Sequence, residues 1–374
     1  MYFPSFLIAF ILSIILTWLI RKVALRCKIV DQPDFGGRKI HKKPVPLLGG
    51  LAIFLSFFLV LFIFYFFSHL KVGVTYLIFQ GNISPKHLIG VLLASVFLMI
   101  GGFLDDKYNL SPKKQIIWPI LAVLTIIISG IGIKYINNPF GQGFIYLDKI
   151  NWKIFSFQGV PYYFTLWSDL FTFIWLMGMI YTTKFLDGLD GLVSGITFIG
   201  ALIIFFLSLY FLSQPQTAFL AMILAGASLG FLIFNFHPAK IFLGESGSAF
   251  CGFMLGVLAI ISGSKVAATL LIMGIPILDV GWVILRRIFK EHHLPWLADR
   301  GHLHFRLLDF GLSHRQVVLF LYFISFLFGL FALFLQTQGK IMALGFLGLV
   351  MLILVLILSR GYQKQVIRSA KNKI

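Results

Sequence analysis

Residues 86–107 read KHLIGVLLASVFLMIGGFLDDK, an apolar run of helical length that ends on the adjacent carboxylates Asp105 and Asp106. About 20 apolar residues at 1.5 Å per residue cross the ~30 Å hydrocarbon core of a bilayer. An acid at mid-span costs ~2.5–3.5 kcal/mol. This stretch therefore predicts a membrane span over 86–104 with its two acids at the emerging end.

Read outward from there, the pattern repeats along the chain. We place eleven spans at roughly 2–20, 47–68, 86–104, 115–134, 167–186, 192–213, 217–235, 248–263, 267–285, 316–336 and 340–359. The eighth and ninth are short or interrupted by polar residues, so the count is ten or eleven. With 59% hydrophobic and 12% charged residues, a soluble fold is excluded. The expected class is an all-α polytopic membrane protein, one integral domain over 1–374 with a basic tail at 360–374. The loop at 135–166 predicts a short extracytoplasmic hairpin, with Phe144–Leu147 and Trp152–Phe157 flanking a turn at Asp148–Asn151. The first span has no basic residue before it, and Arg21-Lys22 follow directly, so it reads as a retained helix.

Charge sets the orientation. A net +18 would point to nucleic acid in a soluble protein, but the distribution here excludes that partner. Lys71, Lys86, Lys134, Lys149, Lys153, Lys265 and Lys340 fall on one side, and the other 24 of the 31 Lys and Arg residues fall on the opposite side. By the positive-inside rule the basic side is cytoplasmic. The expectation is a multi-pass protein of the inner, cytoplasmic membrane, with its amino terminus outside and its carboxyl terminus inside. All the polar motifs then face the cytoplasm. Cys27 and Cys251 have no metal-type spacing and read as structural.

Four stretches on that side carry chemistry. Asp105-Asp106 closes the third span and suits metal or proton handling beside a phosphate. In Asp187-Gly188-Leu189-Asp190-Gly191 the acids lie three apart, on one face where the next span begins. Gly244-Glu245-Ser246-Gly247-Ser248 offers small side chains and free N–H groups at a helix start, the setting of an anion site, with Glu245 as a metal-binding oxygen. Asp299-Arg300-Gly301-His302-Leu303-His304-Phe305-Arg306 combines bidentate arginines with histidines that titrate near neutrality. Asp279, inside the ninth span after Gly274-Ile275-Pro276, is either functional or faces the bundle. For each stretch the plainer reading is a helix cap, a flexible turn or a solvated loop.

In this order, the residues resemble the polyprenyl-phosphate N-acetylhexosamine-1-phosphate transferases (glycosyltransferase family 4). These membrane enzymes start enterobacterial common antigen, O-antigen and wall teichoic acid, and include the phospho-MurNAc-pentapeptide translocase. The resemblance covers about 31–315. It takes in Arg38-Lys39-Ile40-His41 with Pro44–Gly50, Asp105-Asp106, the Asp-Gly-Leu-Asp-Gly run, Asn235 through Ser248, Pro276–Asp279 and the histidine loop.

The resemblance implies that a polyprenyl phosphate, undecaprenyl phosphate above all, attacks the β-phosphate of a UDP-N-acetylhexosamine and releases UMP. GlcNAc-1-phosphate is the expected transferred group, with Mg²⁺, or Mn²⁺, as cofactor. It implies catalytic roles for Asp105, Asp106, Asp187, Asp190, His302 and His304. Lys43, Lys184, Asn235, Phe242, Arg300 and Arg306 would bind substrate, and Glu245 with Asp106 would hold the metal. A homodimer is compatible with this reading.

The chain departs from the family pattern at three places. Glu245 stands where Asp is usual, moving the carboxylate outward by ~1.5 Å. Lys184 stands where Asn is usual, with Tyr181 at a second Asn position, and an ammonium beside a cation repels it by a few kcal/mol at an effective dielectric of about 20. Phe305 interrupts a His-His pair. Within the family, another UDP-amino sugar or the pentapeptide substrate is the alternative. Outside it, the alternatives are a lipid or solute transporter and a non-catalytic scaffold.

Overall fold

The computed structural model describes residues 1–33, 41, 43–69, 83–138, 141, 143–157, 160–263, 266–291 and 301–371. In chain order its helices are α1 (Tyr2–Arg26), α2 (Gly49–His69), α3 (Pro85–Tyr108), α4 (Pro112–Gln115), α5 (Ile117–Ser129), α6 (Leu166–Leu186), α7 (Leu192–Phe206), α8 (Pro215–Asn235), α9 (Gly244–Ile261), α10 (Val266–Ile272), α11 (Gly274–Arg286), α12 (Leu303–Asp309), α13 (His314–Phe334) and α14 (Thr337–Lys371). Strands are few and short: β1 (Val30–Asp31), β2 (Val45–Pro46), β3 (Tyr135–Asn137), β4 (Phe144–Tyr146), β5 (Asn151–Phe157) and β6 (Val160–Thr165). The class expected from the sequence, all-α and polytopic, is the class observed.

Among the described residues, nine helical stretches are long and apolar enough to cross a membrane, ten if α10 and α11 form one span. The eleventh expected span is α6. At 21 residues it is long enough, but Asp169 and Lys184 make it more polar than the others. The expected span at 267–285 is broken, with the helical stretches Val266–Ile272 and Gly274–Phe289 bent by 79° relative to each other. The bend lies at Met273, just before Gly274-Ile275-Pro276. Pro276 has no N–H to give and is tolerated in a first helical turn, whereas it would break a helix continued from α10.

The strands of the 135–166 loop also differ from expectation. Phe144–Tyr146 and Asn151–Phe157 do form, but they do not pair with each other. β4 pairs antiparallel with β3, with Tyr135 opposite Tyr146, and β5 pairs with β6, with Asn151 opposite Thr165. Gly143, at φ +94°, accepts from Asn138 N at 3.0 Å and closes the first hairpin earlier than Asp148–Asn151 would.

α9 is the axis of the bundle. Of its most apolar 18-residue stretch 89% is buried, against 28% for α1 and 22% for α14. Without water between helices, packing depends on close backbone approach, which small residues allow. A Cβ on Gly50 of α2 would lie 2.0 Å from Gly247 Cα, and one on Gly102 of α3 would lie 2.2 Å from Ser246 Cα. On another side of α9, Gly252 meets Thr183 and the Met179 carbonyl of α6. Outward faces carry Phe62, Ile89, Ile128, Phe323 and Phe334, all exposed, as a lipid-facing surface requires. Ser246 and Gly247 lie at the amino end of α9, so α2 and α3 come closest to it where the polar motifs lie.

Candidate active site

The start of α9 is tied to two other segments by backbone hydrogen bonds. Gly49 N donates to Phe242 O at 3.0 Å, Gly50 N to Leu243 O at 2.8 Å, and Phe242 N to Pro46 O at 2.8 Å. Asp106, from the end of α3, accepts from Glu245 N at 3.0 Å. Gly244 is left-handed at φ +78°, and a Cβ there would lie 2.6 Å from Asp106 Oδ2. The glycine therefore lets α9 begin directly over the carboxylate. Asp106 Oδ2 itself is buried with no hydrogen-bond partner among the described residues. A buried carboxylate oxygen left in that state calls for a cation or a proton.

Around this point gather Asp105, Asp187, Glu245 and Lys184. Asp105 is held by Leu110 N at 2.8 Å and Gln115 Nε2 at 3.0 Å, both on Oδ1. Lys184 Nζ lies 2.8 Å from Glu245 Oε2. Asp187 follows α6; the residue is exposed at the surface, yet protein crowds its carboxylate closely enough to take water from it. Loss of bulk water, then the Glu245 carboxylate, then Asp190 raise its carboxyl to about 8. Beside these groups a cleft runs between α3, α5, α6 and α9. Asp105, Lys184 and Glu245 form its polar wall, and Leu98, Trp118 and Pro119 its apolar one.

Asp190 faces a second group. Its Oδ2 lies 2.7 Å from His237 Nδ1 and accepts from Ala239 N at 3.1 Å. The His237 ring stacks on His314 with centroids 4.1 Å apart. Ligand atoms of Asp190, His237 and His314 all lie within 4.8 Å of one another. Nearly parallel rings and a 2.7 Å acid–imidazole contact describe a hydrogen-bonded stack rather than ligands converging on an ion. Sequence reasoning missed His237 and His314 as functional candidates; the only signals were their polarity at the ends of apolar spans.

Asn235, expected on the nucleotide, is 4% exposed and spends its amide on the protein. It accepts from Gly191 N and Ser194 Oγ at 3.1 and 2.9 Å and donates to Ile241 O at 3.0 Å. The Tyr322 hydroxyl donates to Gly191 O from α13. Asn235 thus braces the Asp-Gly turn that carries Asp187 and Asp190. Phe242 is half-buried and meets the edge of the His41 ring, and Lys43 is exposed on the same loop.

The third group answers the question left by Asp279. Its Oδ2 lies 2.9 Å from His302 Nδ1 and its Oδ1 accepts from Leu303 N at 2.8 Å. The acid therefore faces the bundle and fixes both the His302 ring and the start of α12. His302 stacks between Phe185 and His304, with centroids at 5.8 and 5.6 Å. His304 is 1% exposed and lies over Gly188, where a Cβ would meet Nε2 at 2.4 Å. Burial, then the neighbouring His302 and His314, push its pKa down to about 3. The Phe305 ring lies tilted against His304, with centroids 4.3 Å apart. Arg306 is half-buried in α12. Arg300, Arg38 and Lys39 lie outside the described residues.

With the geometry in place, comparison with known proteins is decisive. A model of glycosyl transferase family 4 matches residues 88–263. The decaprenyl-phosphate N-acetylglucosaminephosphotransferase of Mycobacterium tuberculosis is 30% identical over 84% of this chain and 78% of its own length. This chain belongs to glycosyl transferase family 4. A "probable undecaprenyl-phosphate N-acetylglucosaminyl 1-phosphate transferase" of Bacillus subtilis is 29% identical over 89% of this chain and 84% of its own. The undecaprenyl-phosphate alpha-N-acetylglucosaminyl 1-phosphate transferase of Salmonella typhi is 26% identical over 82% and 76%. The family match takes in Asp105, Asp187, Asn235 and Glu245 and stops short of Asp279 and the histidine loop.

Proposed function

We propose that this family 4 transferase moves N-acetylglucosamine-1-phosphate from UDP-N-acetylglucosamine to a polyprenyl phosphate, undecaprenyl phosphate above all, at the cytoplasmic face of the inner membrane. The observation that carries the reading is the cleft itself, lined by Asp105, Glu245 and Lys184 on one side and by Leu98, Trp118 and Pro119 on the other, with Asp106 bonded to the Glu245 N–H behind it. A lipid phosphate needs both surfaces at once. An oxygen of the lipid phosphate would attack the β-phosphorus of the donor. The bond from that phosphorus to the bridging oxygen breaks, its electron pair leaving with UMP. Phosphoryl transfer of this kind asks mainly for positioning and neutralisation of charge.

Placement supports the following roles. Lys184, beside Asp105 in the cleft, faces the lipid phosphate. Asp105, fixed by Leu110 N and Gln115, accepts a proton there or orders the acceptor. Asp187 and Asp190 line the donor side, with Phe242 and Lys43 on the neighbouring loop. Asp106 and the Glu245 oxygen that Lys184 does not hold, with Asp187 near them, would be the ligands of a divalent cation, Mg²⁺ or Mn²⁺, because the buried Asp106 Oδ2 has no counter-group among the described residues. Such an ion, when bound, supplies charge neutralisation at the diphosphate. The basic residues on this side of the membrane support its cytoplasmic placement.

The test is product mass. Purified protein with undecaprenyl phosphate and a panel of UDP-sugars should give undecaprenyl-diphospho-N-acetylhexosamine from UDP-N-acetylglucosamine. No lipid-linked product and no UMP from any UDP-amino sugar would overturn the proposal.

A further inference from the structure

Among the described residues that line the cleft, Lys184 is the one whose charge is opposite to that of its acidic neighbours. Its side chain is 12% exposed, it projects from α6, and its ammonium sits 2.8 Å from Glu245 Oε2. The Tyr181 ring centroid lies 5.5 Å away on another side. Asp105 and Glu245 both act on it electrostatically. Asp106 lies within the same field as Asp105, Asp187 and Glu245. An ammonium kept so far from water persists only where charge and geometry hold it. Lysine serves as a compact point charge on a long stem.

The consequence falls on Glu245. Of the acids at this site, Asp106 Oδ1 accepts from the Glu245 N–H, and Asp105 Oδ1 accepts from Leu110 N and Gln115 Nε2. Glu245 offers the oxygen that reaches furthest from the backbone, and that oxygen is in contact with Lys184. A divalent ion drawn to Asp106 and Asp187 would meet a fixed positive charge where it would want its next carboxylate. Lys184 and Glu245 are also two of the positions where the chain departs from the family pattern, and the structure joins them.

We propose that the Lys184 ammonium is a resident cation of this cleft, holding the Glu245 carboxylate and doing there part of the work a divalent ion would otherwise do. The site accordingly binds divalent cations weakly, and Lys184 tunes that affinity. Its consequence for turnover rests on the transferase reading; its consequence for ion binding does not.

The experiment is a Mn²⁺ titration of the detergent-purified full-length protein, followed by electron paramagnetic resonance of the free ion. Wild type is compared with Lys184→Arg, Lys184→Asn and Lys184→Gln. The neutral variants should bind Mn²⁺ more tightly by roughly tenfold or more, the scale of one nearby unit charge in a partly solvated cleft. Lys184→Arg should match wild type. A lysine with a merely structural part would leave affinity unchanged or lower it on removal, and either result in the neutral variants overturns the proposal. If neither neutral variant elutes as a folded protein, wild type decides alone. Mn²⁺ binding weaker than about 0.1 mM, at the weak end for oxygen-ligand sites, supports the proposal, and tighter binding overturns it. Because the titration needs no substrate, a protein that releases no UMP still gives a readable answer.

Discussion

At the scale of single residues, the pair Asp279–His302 shows how an acid at membrane depth is put to use. The carboxylate fixes Nδ1 of the ring, whose plane lies nearly parallel to those of Phe185 and His304. Losing one charge-assisted hydrogen bond of ~1.5–3 kcal/mol should lower turnover by about tenfold to a hundredfold. We expect that effect from Asp279→Asn in UMP release, with little change in the KM for UDP-sugar and a displaced pH profile. An unchanged profile would leave Asp279 with a purely structural part. His304 makes a different prediction. Its folded pKa, about 3, lies below the ordinary 6.5, so the fold favours the neutral ring. The unfolded chain then binds the extra proton, and the His304 contribution is complete above pH 6.5 and declines as pH falls toward 3. Thermal unfolding should show wild type losing stability between about pH 6.5 and 4.5, and His304→Gln losing less over the same interval. Asp279 was legible in the sequence as an acid needing a partner, but nothing in the spacing said which. Asn235 was legible as important, but its bonds to Gly191, Ser194 and Ile241 were not, because a polar residue ending an apolar span looks the same whether it meets a ligand or braces a turn.

At the scale of elements, the decisive contact is backbone against backbone at the start of α9. Gly102 meets Ser246, and Gly50 meets Gly247, with no room for a side chain. Gly102→Val should cost about 1–3 kcal/mol or more through forced separation of α3 and α9. The readout is the melting temperature of the purified protein, and Gly178→Val is the control, since a Cβ there meets nothing within 4 Å. Equal melting temperatures would mean that the helices are not pressed together as described. Span positions were readable because a bilayer fixes helix length and every backbone group must be paired within it. Strand partners were not readable, since Phe144–Tyr146 and Asn151–Phe157 satisfy the same alternation whichever neighbour they take. The fracture at Met273 was not legible in the sequence, where 267–285 reads as one span although Gly274 and Pro276 stand at the break; α13 and α14 pack against α10 and α11 around the 79° bend.

At the scale of the whole molecule, segments distant in sequence meet at one end of the bundle, while the hairpins of β3 to β6 cap the other. Sequence order alone placed the motifs on a common side through the distribution of Lys and Arg, and resemblance supplied their joint purpose. What it withheld was the internal wiring: Lys184 to Glu245, Asp190 to the His237–His314 stack, and Asp279 to His302. Such pairs join residues on different helices, and one chain read alone carries no record of which helices touch. The account stands or falls on the cleft being where phosphate chemistry happens. The most direct measurement is UMP release from UDP-N-acetylglucosamine by purified wild type and Asp187→Asn, each with and without undecaprenyl phosphate. We predict release by wild type that requires the lipid phosphate, and release by Asp187→Asn lower by roughly a hundredfold or more at an unchanged melting temperature. Equal release by the two proteins, or release by wild type that ignores the lipid, would contradict it.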